Sequence, residues 1–207
     1  GKRCEIWKCM GVEERMADRC NTIRLYYFQT DVVYQVLKRD GVCYSKEEYV
    51  RKKYKESAKV FINAYGWFVK EAQHIVPKPE GAEYPYWAFT DLYNVDQTGD
   101  GHVLTLDVPI GEAILFDMFD WTKIMQMHYI GENESEESAF SEELKNMGMS
   151  EFQIMTSNFY PEQKARIQES WKRLFGHQQA IEAGDNSGVH SVQAGLWCIK
   201  NEWIVKE

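Results

Sequence analysis

Ile23-Arg24-Leu25-Tyr26-Tyr27-Phe28-Gln29 runs without a break into Thr30-Asp31-Val32-Val33-Tyr34-Gln35-Val36-Leu37-Lys38-Arg39-Asp40-Gly41. The first half is β-branched and aromatic and reads as a strand. The second half places Val33, Val36 and Leu37 on one helical face. Thr30 stands where a cap is needed and Gly41 where a helix stops. A strand feeding straight into a helix makes the chain mixed in class from its first element.

The elements further along extend that mixture. Ser45-Lys46-Glu47-Glu48 has the form of a capping box. Behind it, Tyr54, Ala58, Phe61, Tyr65, Phe68, Ala72 and Ile75 recur at gaps of four and three, which predicts one long amphipathic helix ended by Pro77 to Gly81. Three strands are expected at Tyr84–Phe89, His102–Pro109 and Ala113–Asp117. Asp117 or Asp120 then caps a helix carrying Trp121, Ile124, Met125 and Tyr129. A helix from about Pro161 to Phe175 is opened by its proline and stopped by Gly176. A last strand is expected between Val189 and Val205. The expectation is a single α+β domain over residues 23–207, with a mixed or antiparallel central sheet and flanking helices. Residues 1–22 precede it as a polar N-terminal arm.

The chain has 207 residues and a net charge of −8. Residues 131–143, GENESEESAFSEE, hold six glutamates and no base. They read as a solvated, mobile acidic insertion, and without them the net charge is −2. The charge disfavours a nucleic-acid partner. Lys52, Lys53, Lys55 and Lys59 could supply a basic groove, although such a cluster also reads as a solvated helix face. No apolar run approaches the roughly 18 residues of a membrane span, so no membrane partner is expected. Five cysteines, an odd number, without an N-terminal apolar leader point to reduced thiols in a cytoplasmic protein. Cys4, Cys9 and Cys20 lie too far apart for ordinary zinc-ligand pairs, and the five histidines are scattered, so no metal site is expected.

Three sites stand out. Asp96 to Asp107 has the spacing of a calcium loop, with Asp107 in place of the usual glutamate and strands on either side. A Gly/Asp-rich hairpin turn accounts for the same residues, and calcium is not expected. Asp117 and Asp120 bracket Phe119 and can act either as helix caps or as a pair whose acidities are pushed apart for acid–base work. Gln193 sits at the start of the last strand, near Trp197, where its amide could bond a ligand. Nucleophile elbows, phosphate loops and dinucleotide glycine fingerprints are missing.

Taken in order, Leu25-Tyr26-Tyr27-Phe28-Gln29, Ala64-Tyr65-Gly66-Trp67, Tyr84-Pro85-Tyr86-Trp87-Ala88-Phe89, Leu104 to Pro109, Leu115-Phe116-Asp117 to Trp121, Glu169 to Phe175 and Val192-Gln193-Ala194-Gly195-Leu196-Trp197 resemble the bacterial family known as domain of unknown function 3841. The likeness covers roughly residues 23–205. The opening from Leu25 to Gly41 also resembles the start of ADP-ribosyltransferase folds, where Leu-aromatic-His-Gly-Ser/Thr precedes a helix and a glycine. That second resemblance implies NAD as cofactor. Tyr27 stands in the histidine position, Gln29 in the Ser/Thr position and Gln193 near the catalytic glutamate. Tyr for His, Phe28 for Gly and an uncharged amide for the acid depart from the pattern. Glutamine does not stabilise developing positive charge as a carboxylate does.

Two functions follow as expectations. One is an NAD-dependent ADP-ribosyltransferase-like enzyme, with Tyr27, Gln193, Asp117 and Asp120 catalytic and Gln29, Tyr84, Tyr86, Trp87 and Trp197 binding the cofactor. The other is a non-catalytic binding or regulatory module that takes a small molecule or a macromolecule in an aromatic-lined groove.

Overall fold

The computed structural model describes residues 21–206. The N-terminal arm and Cys4, Cys9 and Cys20 lie outside that range, apart from Asn21 and Thr22. The strand expected at Ile23 starts one residue earlier, as β1 (Thr22–Thr30), and runs into α1 (Asp31–Asp40). Gly41 ends the helix at φ 77°, a left-handed conformation that glycine adopts without steric cost. Thr30 holds the cap position, but its side chain makes no capping hydrogen bond.

β2 (Val42–Cys43) leads to α2 (Glu47–Tyr54). The capping box is not formed. Ser45 pairs instead with Tyr84 in a β-bridge, and the amide of Glu47 donates to the Glu83 carboxylate at 2.7 Å. The long helix is also divided. Lys55 takes φ 49°, a short 3₁₀ turn covers Lys55–Ser57, and α3 (Ala58–Ala72) follows. Then come β3 (Tyr86–Phe89), β4 (Gly101–Pro109), β5 (Ala113–Asp117) and α4 (Met118–Met125).

The acidic segment is a correction. Glu134–Asn146 is a helix, α5, and not a mobile insertion. Asn133 caps it by accepting from the Glu136 amide, and Glu134, Glu136 and Glu137 in its first turn suit the positive end of the helix dipole. Phe140 and Leu144, one turn apart, are buried in the main core. The remaining elements are α6 (Glu151–Thr156), α7 (Pro161–Trp171), α8 (Gln178–Glu182), β6 (Val192–Leu196) and β7 (Ile199–Lys200). The single last strand expected between Val189 and Val205 is thus two short strands followed by a 3₁₀ turn, Asn201–Trp203.

The five-stranded sheet has the order β4-β1-β3-β6-β5, with every neighbour antiparallel. A two-stranded ribbon pairs β2 with β7. The β3–β4 hairpin does not exist, because β1 lies between those strands and residues 90–100 carry the chain past it.

Alternation buries both faces of the sheet. Leu25, Ala88, Ala194 and Leu115 look toward α1, the ribbon and α8, where Leu37, Ile181 and Ile199 meet them. Phe116, Ile114 and Trp87 look toward α3 and α4, where Phe68, Tyr65 and Trp121 pack. The outer edges are closed without further strands. On β5 the Leu115 amide donates to Gln178 Oε1 (2.6 Å), and Gln178 Nε2 donates to the Ala113 carbonyl (3.0 Å). On β4, Leu106 bridges Ile204, and the Val205 amide bonds the Thr105 carbonyl.

Candidate functional site

The register decides which expected site residues can meet. Tyr26, Phe89, Gln193 and Phe116 form one row across the sheet. Tyr27, Ala88, Ala194 and Leu115 form the next. Successive side chains on a strand point to opposite faces. Tyr27 and Gln29 therefore lie on the ribbon face and Gln193 on the helix face, with the sheet between them. The arrangement implied by the ADP-ribosyltransferase resemblance, a ligand held between Tyr27 and Gln193, is not available.

Tyr27 meets Tyr86 edge to face at 5.3 Å, and burial raises its phenol well above the usual range. Tyr86 is raised by burial in the same way, and then by the neighbouring Cys43. Gln29 is buried, and its Oε1 has no partner among the described residues. Tyr84, Trp87 and Trp197 belong to the helix-face core, where Trp87 packs against Trp121 at 4.7 Å and Trp197 Nε1 donates to the Val76 carbonyl. These aromatics fill a core and line no groove. Two open grooves, of about 380 and 550 Å³, lie elsewhere. One is lined by Asp40–Val42 and Lys200–Glu202, the other by Tyr129, Arg166 and Arg173 with their neighbours.

The calcium-loop residues are spread apart. Asp96 accepts from the Thr98 amide in a tight turn. Asp107 is bonded to Arg24 across the β1–β4 ladder at 2.6 and 3.0 Å. The extended strand carries it about 20 Å from Gly101.

What converges is the β5–α4 corner. Asp117 is the last residue of β5 and the cap of α4, so its carboxylate faces several amides at once. Oδ1 accepts from Phe119 N (3.0 Å), and Oδ2 accepts from His190 N (3.0 Å) and lies 2.9 Å from His190 Nδ1. Burial would raise this carboxyl, but the hydrogen bonds from His190, Phe119 and Ser191 outweigh it and hold the group below the usual carboxylate range. Asp120, one turn further on, is raised by its own burial and then by the charge of Asp117, with Lys123 and His177 opposing. His177 Nε2 lies 3.7 Å from Asp120 Oδ2. The two aspartates are thus pushed apart in acidity, as their spacing allowed.

Sequence reasoning found the carboxylates and missed the histidines. His177 ends the 3₁₀ turn that precedes α8, and His190 lies in the segment between α8 and β6, where Gly188 lies against the His177 ring and the Ser191 carbonyl accepts from Met118 N. Nothing in their spacing along the chain announces this. An ionised Asp117 is an acceptor, so in the neutral form of the His190 ring it is Nδ1 that carries the hydrogen and Nε2 the lone pair. The His190 side chain is 69% exposed, while that of Asp117 is 4% exposed.

The two shifts make opposite demands on stability. Asp117 has a depressed folded-state pKa. Its contribution is present above its unfolded value of about 3.9 and is lost as pH falls through the folded value. Asp120 has a raised one, so its contribution is present below about 3.9 and is lost as pH rises through the folded value. Asp117→Asn is therefore expected to destabilise at neutral pH and Asp120→Asn to stabilise. Both differences from wild type should shrink toward acid pH, as read by urea midpoints across a pH series. Shifts of the same sign for both variants at neutral pH would contradict the pairing.

The sequence model of a family described as a domain of unknown function (DUF3841) matches residues 24–205. No curated protein and no solved structure matches the chain.

Proposed function

The chain belongs to the family of domain of unknown function 3841, and from the chemistry of its own side chains we propose that it is an acid–base enzyme working at the β5–α4 corner. The observation that carries this is the Asp117–His190 contact, a buried carboxylate fixing the ring of an exposed imidazole at 2.9 Å. A base held in one tautomer, with its free nitrogen in solvent, is the arrangement that general-base catalysis needs. His190 Nε2 takes the proton of a water or hydroxyl as its oxygen attacks. Asp120, whose pKa is raised by burial, stands on the first turn of α4 as the group to return a proton to the leaving atom.

An activated ester tests this without knowledge of the natural substrate. With p-nitrophenyl acetate, His190 removes the proton of the attacking water. The ester C–O bond then breaks, and p-nitrophenolate leaves with the electron pair. Wild type is expected to release p-nitrophenolate about a hundredfold faster than His190→Ala, the lower end of what a positioned base contributes. Asp117→Asn should fall between them, and His102→Ala should match wild type. If His190→Ala hydrolyses as fast as wild type, the reading fails.

A second reading, ADP-ribosyl transfer from NAD, is favoured by one observation. The buried Oε1 of Gln29 lacks a donor among the described residues, and a carboxamide would supply one. Nicotinamide release from NAD, run as a parallel arm of the same assay, separates the two.

A further inference from the structure

The β5–α4 corner is bordered on both sides by apolar side chains that stand in water. On one side Phe119, 48% exposed, lies flat on the His190 ring at 4.5 Å with an interplanar angle of 1°. On the other, Leu92 and Tyr93 are 44% and 91% exposed on the turn that follows β3. That turn is anchored to the corner. Asp91 accepts from the Tyr93 amide, Asn94 Nδ2 donates to Ser191 Oγ at 2.8 Å, and the Thr90 amide bonds the Val192 carbonyl. The turn that carries the exposed Tyr93 is thus tied to Ser191 and Val192, the residues that follow His190. Exposed apolar groups clustered in this way mark contact surfaces.

Carboxylates flank these rings along the chain. Asp91 caps the turn that carries Tyr93, Asp120 follows Phe119 in the first turn of α4, and the nearby Lys123 is already bonded to Glu137 at 2.7 Å. Acids set beside aromatic faces suit cationic side chains, which gain from both ring and carboxylate. They repel a phosphate backbone.

We infer that the Tyr93–Phe119 border is a docking surface for a Lys/Arg-rich peptide segment, which it lays across His190. This rests on the acid–base reading of the corner, because it names the class of substrate presented there.

Fluorescein-labelled nona-arginine is the probe, followed by anisotropy at about 0.15 M salt, where long-range attraction is screened. Tyr93→Ala and Phe119→Ala are each expected to raise Kd about tenfold. Glu142→Lys, on the outer face of α5, changes the net charge by more than either and is expected to leave Kd within about twofold. The inference is overturned if the peptide does not bind, if Tyr93→Ala binds as wild type, if Glu142→Lys weakens binding as much as Tyr93→Ala, or if a labelled single-stranded oligodeoxynucleotide binds more tightly. Ester hydrolysis read on the same samples keeps the two proposals apart. Tyr93→Ala that hydrolyses normally but has lost the peptide supports the docking surface. Wild type that binds the peptide but hydrolyses no faster than His190→Ala overturns the acid–base reading alone.

Discussion

Phe68→Ala is expected to destabilise the protein by about 3–5 kcal/mol, the cost of removing a large ring from a core that cannot close over the gap. Phe68 has no exposed surface. Its ring meets Trp87 at 4.9 Å, Trp121 at 5.3 Å, Phe116 at 5.6 Å, Phe175 at 5.7 Å and Trp197 at 6.5 Å, most of these contacts edge to face. Gly195 completes the socket, since a Cβ there would stand 2.8 Å from the Phe68 ring. Those neighbours come from β3, β5, α4 and the segments after α7 and β6, so no single rotamer change refills the space. Phe68→Leu keeps much of the volume and is expected to cost less than about 1.5 kcal/mol. Urea unfolding of both variants is the measurement. A loss below about 1 kcal/mol for the alanine would mean that the aromatic cluster repacks freely.

Gly101→Ala is expected to cost more than about 3 kcal/mol, at the upper end of overpacking effects. The added Cβ would lie 2.3 Å from the Gln29 carbonyl oxygen and 2.8 Å from the Phe28 ring. A side chain can swing aside, but a carbonyl held in a ladder cannot. Gly101 pairs with Thr30 at one end of the nine-residue β1–β4 register, just before α1 begins. The strands must separate there, and α1 loses the strand end that positions it. Hydrogen exchange should show faster amides at Phe28 to Thr30 and at Gly101 to Val103, together with the drop in urea midpoint. Wild-type exchange at those amides would show that the clash is absorbed elsewhere.

The strands and the Gly41 stop were legible because each is a local signal. Alternation in Leu104, Leu106 and Val108, or a glycine behind a helical face, needs no partner to be recognised. α5 was hidden because its composition is dominated by glutamate, and only Phe140 and Leu144 give its buried stripe. The break at Lys55 has no breaker residue to announce it. The separation of Tyr27 from Gln193 is a fact of register across three strands, and no reading of either segment alone contains it. The acid–base corner was half visible. The Asp117–Asp120 spacing is local, whereas His177 and His190 reach it from the two sides of α8, some sixty to seventy residues further along the chain.

The two closed sheet edges have a further meaning. A bare outer strand offers its amides and carbonyls to any extended chain that drifts past, and that is how ordered aggregates begin. Here β5 spends those groups on the carboxamide of one glutamine, and β4 spends some of its own on the passing segment at Ile204–Val205. Neither device is itself a strand that would need covering in turn. The sheet is therefore finite by construction, and β-strand addition by a second molecule would first have to displace Gln178 or peel away the tail.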